Sequence, residues 1–164
     1  KILSGIFNNI EFHGIDQSTT GISKANELKM LQLDKRYTEG MPHRFNFLKE
    51  DNNIFFSEQD AQYLNFPSQS FDLVYTVLAL EQMSNIEMKV IDQLKRVSKK
   101  YILLIEPFEN LNKSGMRYLH HASKKYFSLN PENIECNNWK IKEYNFDFPN
   151  YISLKSGYLL LEKI

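Results

Sequence analysis

The segment SEQDAQYLNFPSQSFDLVYTVLALEQM, residues 57–83, gives the strongest indication of the fold. It contains the end of one predicted strand, then an acidic turn and a polar loop, and then a nearly continuous apolar run over residues 71–78. Such a run is typical of a strand covered on both faces, as in parallel sheets with helices on either side. Ligands of these sheets bind beyond the carboxyl ends of the strands, which places the candidate site at Asp60, Ala61 and residues 76–82.

Composition sets broad limits on the class of protein. The chain has 164 residues, 42% of them hydrophobic, which suits one domain with a sizeable core. Its 20 basic and 20 acidic side chains cancel, so no net field favours nucleic acid or an anionic membrane. A single cysteine, Cys136, excludes an intrachain disulfide. Neither a membrane-spanning run nor a signal peptide is recognisable, and we therefore expect a cytoplasmic protein.

Strand and helix patterns alternate along the chain. Apolar runs predict strands at residues 10–16, 54–60, 71–78, 101–107, 141–148 and 158–164, and helical spacing predicts helices over 18–33, 84–97 and 114–127. Ser84 and Glu87 have the spacing of a capping box for the second helix. Residues 37–51 predict an irregular insertion. This order predicts an α/β fold with an open, mostly parallel sheet, helices on both faces and an antiparallel strand at the C terminus.

Three segments carry a resemblance to a known family: GIDQS at residues 14–18, residues 59–83, and LKRVSKKYILLIEPF at residues 94–108. In this order and spacing they resemble the class I S-adenosylmethionine-dependent methyltransferases, in particular their small-molecule, type 11-like branch. The resemblance implies a Rossmann-like, three-layer αβα fold and S-adenosyl-L-methionine as cofactor. It covers residues 14–108, and the paired strands at the C terminus are also a property of that family.

The resemblance implies a set of cofactor-binding residues. Asp16, at the end of its strand, would accept hydrogen bonds from both ribose hydroxyls, a charge-assisted interaction. Asp60 would bind the adenine amino group, with the backbone of Ala61 beside it. Leu64, Phe66 and Pro67 match a loop near the adenine, and a plain core role suits them equally. The full set assigned to the cofactor is Asp16, Gln17, Asp60, Ala61, Thr76, Val77 and Leu78.

Candidate catalytic and substrate residues follow from the needs of methyl transfer, which requires an aligned acceptor and, for oxygen or nitrogen, removal of a proton. His120 and His121, in the helix predicted at 114–127, are the candidate bases, and His43 in the insertion is another. A surface or packing role is the alternative for each. Three residues are candidates for substrate contact: His43, Glu81 and Glu106. A structural role is the alternative for Glu81, and a capping role for Glu106. The sequence shows no cluster with metal-ligand spacing.

The start of the chain departs from the family pattern. It begins at Lys1, without an initiator methionine, in a stretch that resembles the end of a helix, and the family's glycine-rich first strand is not found before Gly14. The sequence therefore predicts a single methyltransferase-like domain over residues 1–164 whose first strand and glycine loop precede residue 1. Without that strand, the strands at 10–16 and 71–78 would lose their shared neighbour and expose unpaired backbone groups.

Three functions remain open at this point. The leading one is methyl transfer to a small molecule, such as a sugar or another hydroxyl-bearing metabolite. A non-catalytic methyltransferase-like binding domain is the alternative, because Gln82 replaces the family's histidine and the glycine motif is not found. A nicotinamide-dependent oxidoreductase also places a carboxylate where Asp16 stands. The turn at Asp60 and Ala61 and the antiparallel ending disfavour it.

Overall fold

A computed structural model describes residues 3, 7, 9–30, 53–111, 116, 119, 123, 129–135, 138–146 and 156–164. The described residues form six strands, two α-helices and three short 3-10 helices. In chain order they are β1 (Phe12–Asp16), α1 (Thr19–Met30), β2 (Ile54–Glu58), β3 (Phe71–Val77), a 3-10 helix (Leu80–Gln82), α2 (Glu87–Val97), β4 (Ser98–Glu106), 3-10 helices at Glu109–Leu111 and Pro131–Asn133, β5 (Trp139–Asn145) and β6 (Gly157–Lys163). The alternation predicted from the sequence is confirmed for the described elements, with boundaries that differ by a few residues. The insertion predicted at 37–51 and most of the helix predicted at 114–127 lie outside the described residues.

The chain divides into two compact units, Lys1–Ala61 and Gln62–Ile164. In the first unit β1 and β2 pair in parallel, from Phe12 opposite Ile54 to Asp16 opposite Glu58. Helix α1 contacts both strands. Because the strands are parallel and in register, their carboxyl ends meet at Asp16 and Glu58.

Two contacts explain how the first unit holds together. A Cβ at Gly14 would lie 2.7 Å from the Phe56 ring, so the close approach of this ring requires glycine. Lys29, in the last turn of α1, donates from Nζ to the carbonyl oxygen of Ile54 at 2.6 Å. This bond ties the end of the helix to the start of β2.

In the second unit four strands form one sheet in the order β3-β4-β6-β5. β3 and β4 are parallel, whereas β6 runs antiparallel to both β4 and β5. The predicted antiparallel ending is confirmed, and this sheet as described is mixed. Helix α2 packs on β3 and β4. The apolar core of the unit includes Val90, Ile91, Leu94, Val97, Ile102, Leu104, Leu159 and Leu161.

The prediction of a capping box at Ser84 and Glu87 is wrong. Helix α2 begins at Glu87, and its N-cap residue is Ile86, which makes no side-chain capping bond. Asn85 adopts a left-handed conformation with φ 74°. That conformation interrupts the helical path between Ser84 and Glu87, so Ser84 lies outside the capping position.

The prediction that β3 is covered on both faces is also wrong for the described chain. Leu73, Tyr75 and Val77 are 48%, 46% and 51% exposed, and they alternate along the strand and so share one face. β3 is the outer strand of its sheet, with β4 as its neighbour. An outer strand has fewer neighbours to cover its side chains, which accounts for the exposure of this face.

Candidate functional site

The carboxyl end of β1 presents Asp16 to the first turn of α1. Asp16 Oδ1 accepts a hydrogen bond from the backbone N–H of Ser18 at 2.7 Å. Ser18 Oγ in turn accepts from the N–H of Gly21 at 3.2 Å, so the two side chains together satisfy donors at the start of the helix. On the neighbouring strand, Glu58 Oε2 accepts from the Thr19 hydroxyl at 2.7 Å. The ends of β1 and β2 are thereby fixed to the same helix terminus.

Gly21 allows the Asp16 carboxylate to lie where it does. A Cβ at residue 21 would lie 2.8 Å from Asp16 Cγ and 2.9 and 3.0 Å from its two oxygens. Sequence reasoning missed both Gly21 and Glu58. The available signals were a glycine in the first turn of a predicted helix and an acidic residue at a predicted strand end.

Asp60 and Ala61 follow the end of β2, and both are half-buried. The N–H of Gln59 donates to the carbonyl oxygen of Asp16 at 3.0 Å. This bond holds the residues that follow β2 beside the end of β1. Gln17 is exposed. Four of the predicted cofactor residues, Asp16, Gln17, Asp60 and Ala61, therefore lie at the carboxyl ends of one parallel strand pair.

In the second unit the chain turns sharply after β3. Leu78 has a left-handed conformation with φ 51°, and its N–H donates to the carbonyl oxygen of Ile105 at 2.9 Å. Val77 and Leu78 are exposed, whereas Thr76 is half-buried. Glu81, in the 3-10 helix Leu80–Gln82, is half-buried. These predicted residues lie together at the carboxyl end of β3.

Glu106 ends β4 and is completely buried. Its Oε1 accepts from the N–H of Ala79 at 3.2 Å. Burial raises the pKa of Glu106 above its ordinary value, and hydrogen bonding with Thr76 and with the N–H groups of Ala79, Leu80 and Glu81 opposes that shift. The side chain accordingly faces the backbone of the turn after β3.

Two polar atoms next to this turn have no hydrogen-bond partner of normal geometry among the described residues, namely Thr76 Oγ1 and Glu106 Oε2. Thr76 is aligned with Leu104, which lies two residues before Glu106. Side chains two residues apart on a strand share a face, so the hydroxyl and the carboxyl group lie on the same side of the sheet. The hydroxyl is near enough to affect the pKa of Glu106 without forming a well-directed bond.

Arg96 holds the loop that was predicted to lie near the adenine. Its guanidinium donates from Nη2 to the carbonyl oxygen of Leu64 and from Nη1 to that of Phe66, each at 2.7 Å. Leu64 is buried, and the Phe66 ring packs edge-on against Phe71 with centroids 4.8 Å apart. Sequence reasoning missed Arg96, for which the only signal was a basic residue in the last turn of a predicted helix.

Three predicted residues, His43, His120 and His121, lie outside the described residues. Within the described part of the chain, no three His, Cys, Asp or Glu side chains are grouped so as to hold a metal ion. No helix in that same part is long and apolar enough to cross a membrane.

Comparison with known proteins gives a family and a fold. A family model described as a methyltransferase domain matches residues 4–104. No curated protein sequence matches the chain significantly.

Three solved structures illustrate the similarity in fold. A SAM-dependent methyltransferase from Methanosarcina mazei has 17% identity and a TM-score of 0.67, covering 99% of this chain and 85% of its own. A Pyrococcus horikoshii OT3 protein has 15% identity and a TM-score of 0.64, covering 96% and 73%. Magnesium protoporphyrin IX methyltransferase from Synechocystis PCC 6803, with bound SAH, has 13% identity and a TM-score of 0.66, covering 96% and 66%.

Proposed function

The chain belongs to the methyltransferase domain family, and from this membership we propose that it transfers a methyl group from S-adenosyl-L-methionine to a small-molecule acceptor. The observation that carries the proposal is the position of two carboxylates at the carboxyl ends of adjacent parallel strands. Asp16 is the last residue of β1, and Asp60 lies two residues after β2. Open α/β sheets bind ligands at that end. The acceptor is a hydroxyl-bearing metabolite such as a sugar, and the enzyme acts in the cytoplasm.

Asp16 binds the ribose in this proposal. Its Oδ1 accepts from Ser18 N–H, which fixes the orientation of the carboxylate. The carboxylate has further lone pairs on both oxygens, and the residue is exposed, so the ribose hydroxyls can donate to it. A charge-assisted bond to a fixed carboxylate is stronger than one between neutral groups.

The other cofactor residues take the roles that the family resemblance implies. Asp60 accepts from the adenine amino group, and Gln17 and the backbone of Ala61 lie beside the nucleoside. Thr76, Val77 and Leu78 line the methionine part of the cofactor. The support for these roles is that each residue lies at or just beyond the carboxyl end of its strand.

The bound cofactor supplies an activated methyl group on its sulfonium. The protein therefore has to align the acceptor and exclude competing water, and a base removes the proton of a hydroxyl acceptor. His120 or His121 is the proposed base, and His43 and Glu81 are the residues proposed to contact substrate. Glu106 was the third candidate for substrate contact, but its carboxyl group is completely buried, so that role is not proposed for it. A domain that binds the cofactor without turnover is the second candidate, because Gln82 stands where the family has histidine.

Calorimetric titration with S-adenosylhomocysteine, the demethylated cofactor, tests the proposal. The titrated protein is the product of the complete gene, beside its Asp16→Ala and Asp60→Ala variants and a Glu27→Ala control. Glu27 is an exposed carboxylate on α1 that pairs with Lys24. We expect wild-type protein and control to bind alike and the two Asp variants to bind at least about tenfold more weakly.

Two results separate the remaining possibilities. Folded wild-type protein that does not bind S-adenosylhomocysteine would exclude the proposed function. Binding without methyl incorporation into any member of a panel of hydroxyl-bearing acceptors would favour the non-catalytic domain.

A further inference from the structure

Among the described residues, no cation pairs with the buried carboxyl group of Glu106. The side chain is 0% exposed, and its Oε1 accepts from the N–H of Ala79. The Thr76 hydroxyl and the neighbouring N–H groups of the turn oppose the rise in its pKa. Burial of a carboxyl group without an opposite charge is costly unless hydrogen bonds compensate for the lost water. Because the group is completely covered, it contacts its own protein chain and presents no surface to a ligand in this conformation.

Glu106 serves as a cap for the segment after β3. The 3-10 helix Leu80–Gln82 begins after Ala79, whose own side chain supplies no capping bond. Glu106 Oε1 accepts from Ala79 N–H at 3.2 Å, and the N–H groups of Leu80 and Glu81 also interact with the carboxylate. A carboxylate at three successive N–H groups stabilises the start of a helical turn.

The turn needs such support because it begins with an unfavourable conformation. Leu78 has φ 51°, in the left-handed region that residues other than glycine rarely adopt. Leu78 N–H is bonded to Ile105, the residue immediately before Glu106. The carboxyl end of β4 therefore holds the turn by two interactions. The Ile105 carbonyl accepts from Leu78 N–H, and the Glu106 side chain accepts from Ala79 N–H.

We propose that Glu106 is a positioning residue whose carboxylate holds residues 78–82 in the shape that binds the methionine part of the cofactor. This inference rests on the proposed function, since that function assigns Leu78 to the cofactor. Glu106 acts through the Ala79, Leu80 and Glu81 backbone rather than by touching cofactor or acceptor.

The substitution Glu106→Gln tests the inference at nearly constant side-chain volume. The carboxamide keeps one acceptor oxygen, so Ala79 N–H can retain its bond, but it has no negative charge to interact with the N–H groups of Leu80 and Glu81. Leu161→Val is the control, because Leu161 is completely buried on β6 and its truncation weakens the same core without touching the turn. S-adenosylhomocysteine affinity is measured by calorimetry, and the backbone amide resonances of residues 78–82 by NMR.

We expect Glu106→Gln to weaken S-adenosylhomocysteine binding about tenfold, as for loss of hydrogen bonds to a charged group. The largest amide shift changes should fall at Ala79, Leu80 and Glu81. Leu161→Val should bind with wild-type affinity. If Glu106→Gln does not fold, Glu106→Asp, which withdraws the carboxylate by one methylene, replaces it with the same expected loss of affinity.

If folded Glu106→Gln binds S-adenosylhomocysteine with wild-type affinity, the positioning role is wrong, but the proposed function is not affected. An equal loss in Leu161→Val would also overturn the positioning role, because the effect would then follow general destabilisation. Absence of binding by the wild-type protein would instead overturn the proposed function, and this inference with it.

Discussion

Gly21 leaves room for the Asp16 carboxylate at the start of α1. Replacing this glycine should therefore lower the affinity for S-adenosylhomocysteine more than it changes the free energy of unfolding. Gly21→Ala should gain about 0.5–1 kcal/mol from helix propensity, because glycine is a poor helix former. The new Cβ would lie 2.8 Å from Asp16 Cγ, so the carboxylate must turn away and its bond to Ser18 N–H is lost, which offsets that gain. We expect S-adenosylhomocysteine affinity to fall about tenfold, equivalent to about 1.4 kcal/mol. Urea denaturation and calorimetry measure the two effects.

The control for this prediction is Ser23→Ala, an exposed position on the same helix. It should change stability slightly and leave affinity unaltered. Gly21→Ala protein that folds and binds as tightly as wild type would show that Asp16 does not need its observed position.

Glu106 gives the stability of the protein an unusual pH dependence. Burial raises its pKa above the ordinary 4.5, so the folded state binds the proton more tightly than the unfolded state. The favourable contribution is complete below pH 4.5 and is lost as the pH rises through the raised pKa. Most paired carboxylates have lowered pKa values and show the opposite trend.

Comparison of wild-type protein with Glu106→Gln isolates this contribution. The variant lacks the titrating group, so the stability of wild type relative to the variant should decrease from pH 4.5 upward and become constant above the raised pKa. Urea denaturation at several pH values between about 4.5 and 8 measures it. A relative gain by the wild type over this range would mean that the folded-state pKa is lowered.

At the scale of elements, α2 does more than cover the sheet, because its last turn fixes the loop at residues 64–67. Arg96 makes two bonds of 2.7 Å to carbonyl oxygens of that loop. Arg96→Met keeps an apolar stem and removes both donors, leaving two carbonyl groups without their partner. We expect a loss of about 1–3 kcal/mol in the free energy of unfolding. Hydrogen exchange of the loop should accelerate.

A matched surface substitution shows whether the loss comes from these bonds. Lys99 is an exposed cation with Asp72 at 3.5 Å, and Lys99→Met should cost less than about 1 kcal/mol. Equal losses in the two variants, or unchanged exchange in the Arg96→Met loop, would contradict the role assigned to Arg96.

Elements were easier to predict than the contacts between them. The helical spacing of Ile86, Val90, Ile91, Leu94 and Val97 predicted α2, and the last four are buried, whereas Ile86 is half-buried at the N-cap. The failed capping box shows a limit, because the left-handed Asn85 shifts the helix start and no local spacing reveals that conformation. Arg96 was missed for another reason, since its partner carbonyls lie 30 and 32 residues away in sequence.

In the candidate site, too, features set by local sequence could be predicted, and features set by contacts distant in sequence could not. Strand ends and acidic residues predicted that Asp16 and Asp60 lie at the same edge, and the parallel register of β1 and β2 places both there. The burial of Glu106 and its bond to Ala79, 27 residues earlier, depend on how two strands are aligned. Contacts between residues so far apart in sequence produce no periodic pattern from which they could be predicted.

At the scale of the whole molecule, the described strands form two sheets, and β3 is the outer strand of the larger one. The sequence predicted one open, mostly parallel sheet. In the described chain β3 pairs only with β4. Its exposed apolar face at Leu73, Tyr75 and Val77 forms a surface that favours contact with another chain.

A charge on this surface should oppose association of the 164-residue chain. Tyr75 is 46% exposed in the middle of β3, so Tyr75→Lys adds repulsion between copies and removes apolar contact area. We expect sedimentation velocity at increasing concentration to show less self-association than in the wild type. Met88→Lys, at an exposed apolar position on α2, adds the same charge to a chain whose formal net charge is zero, and serves as the control. If both variants reduce association equally, net charge is the cause. If only Tyr75→Lys does so, the apolar face of β3 is the surface through which copies of this chain associate.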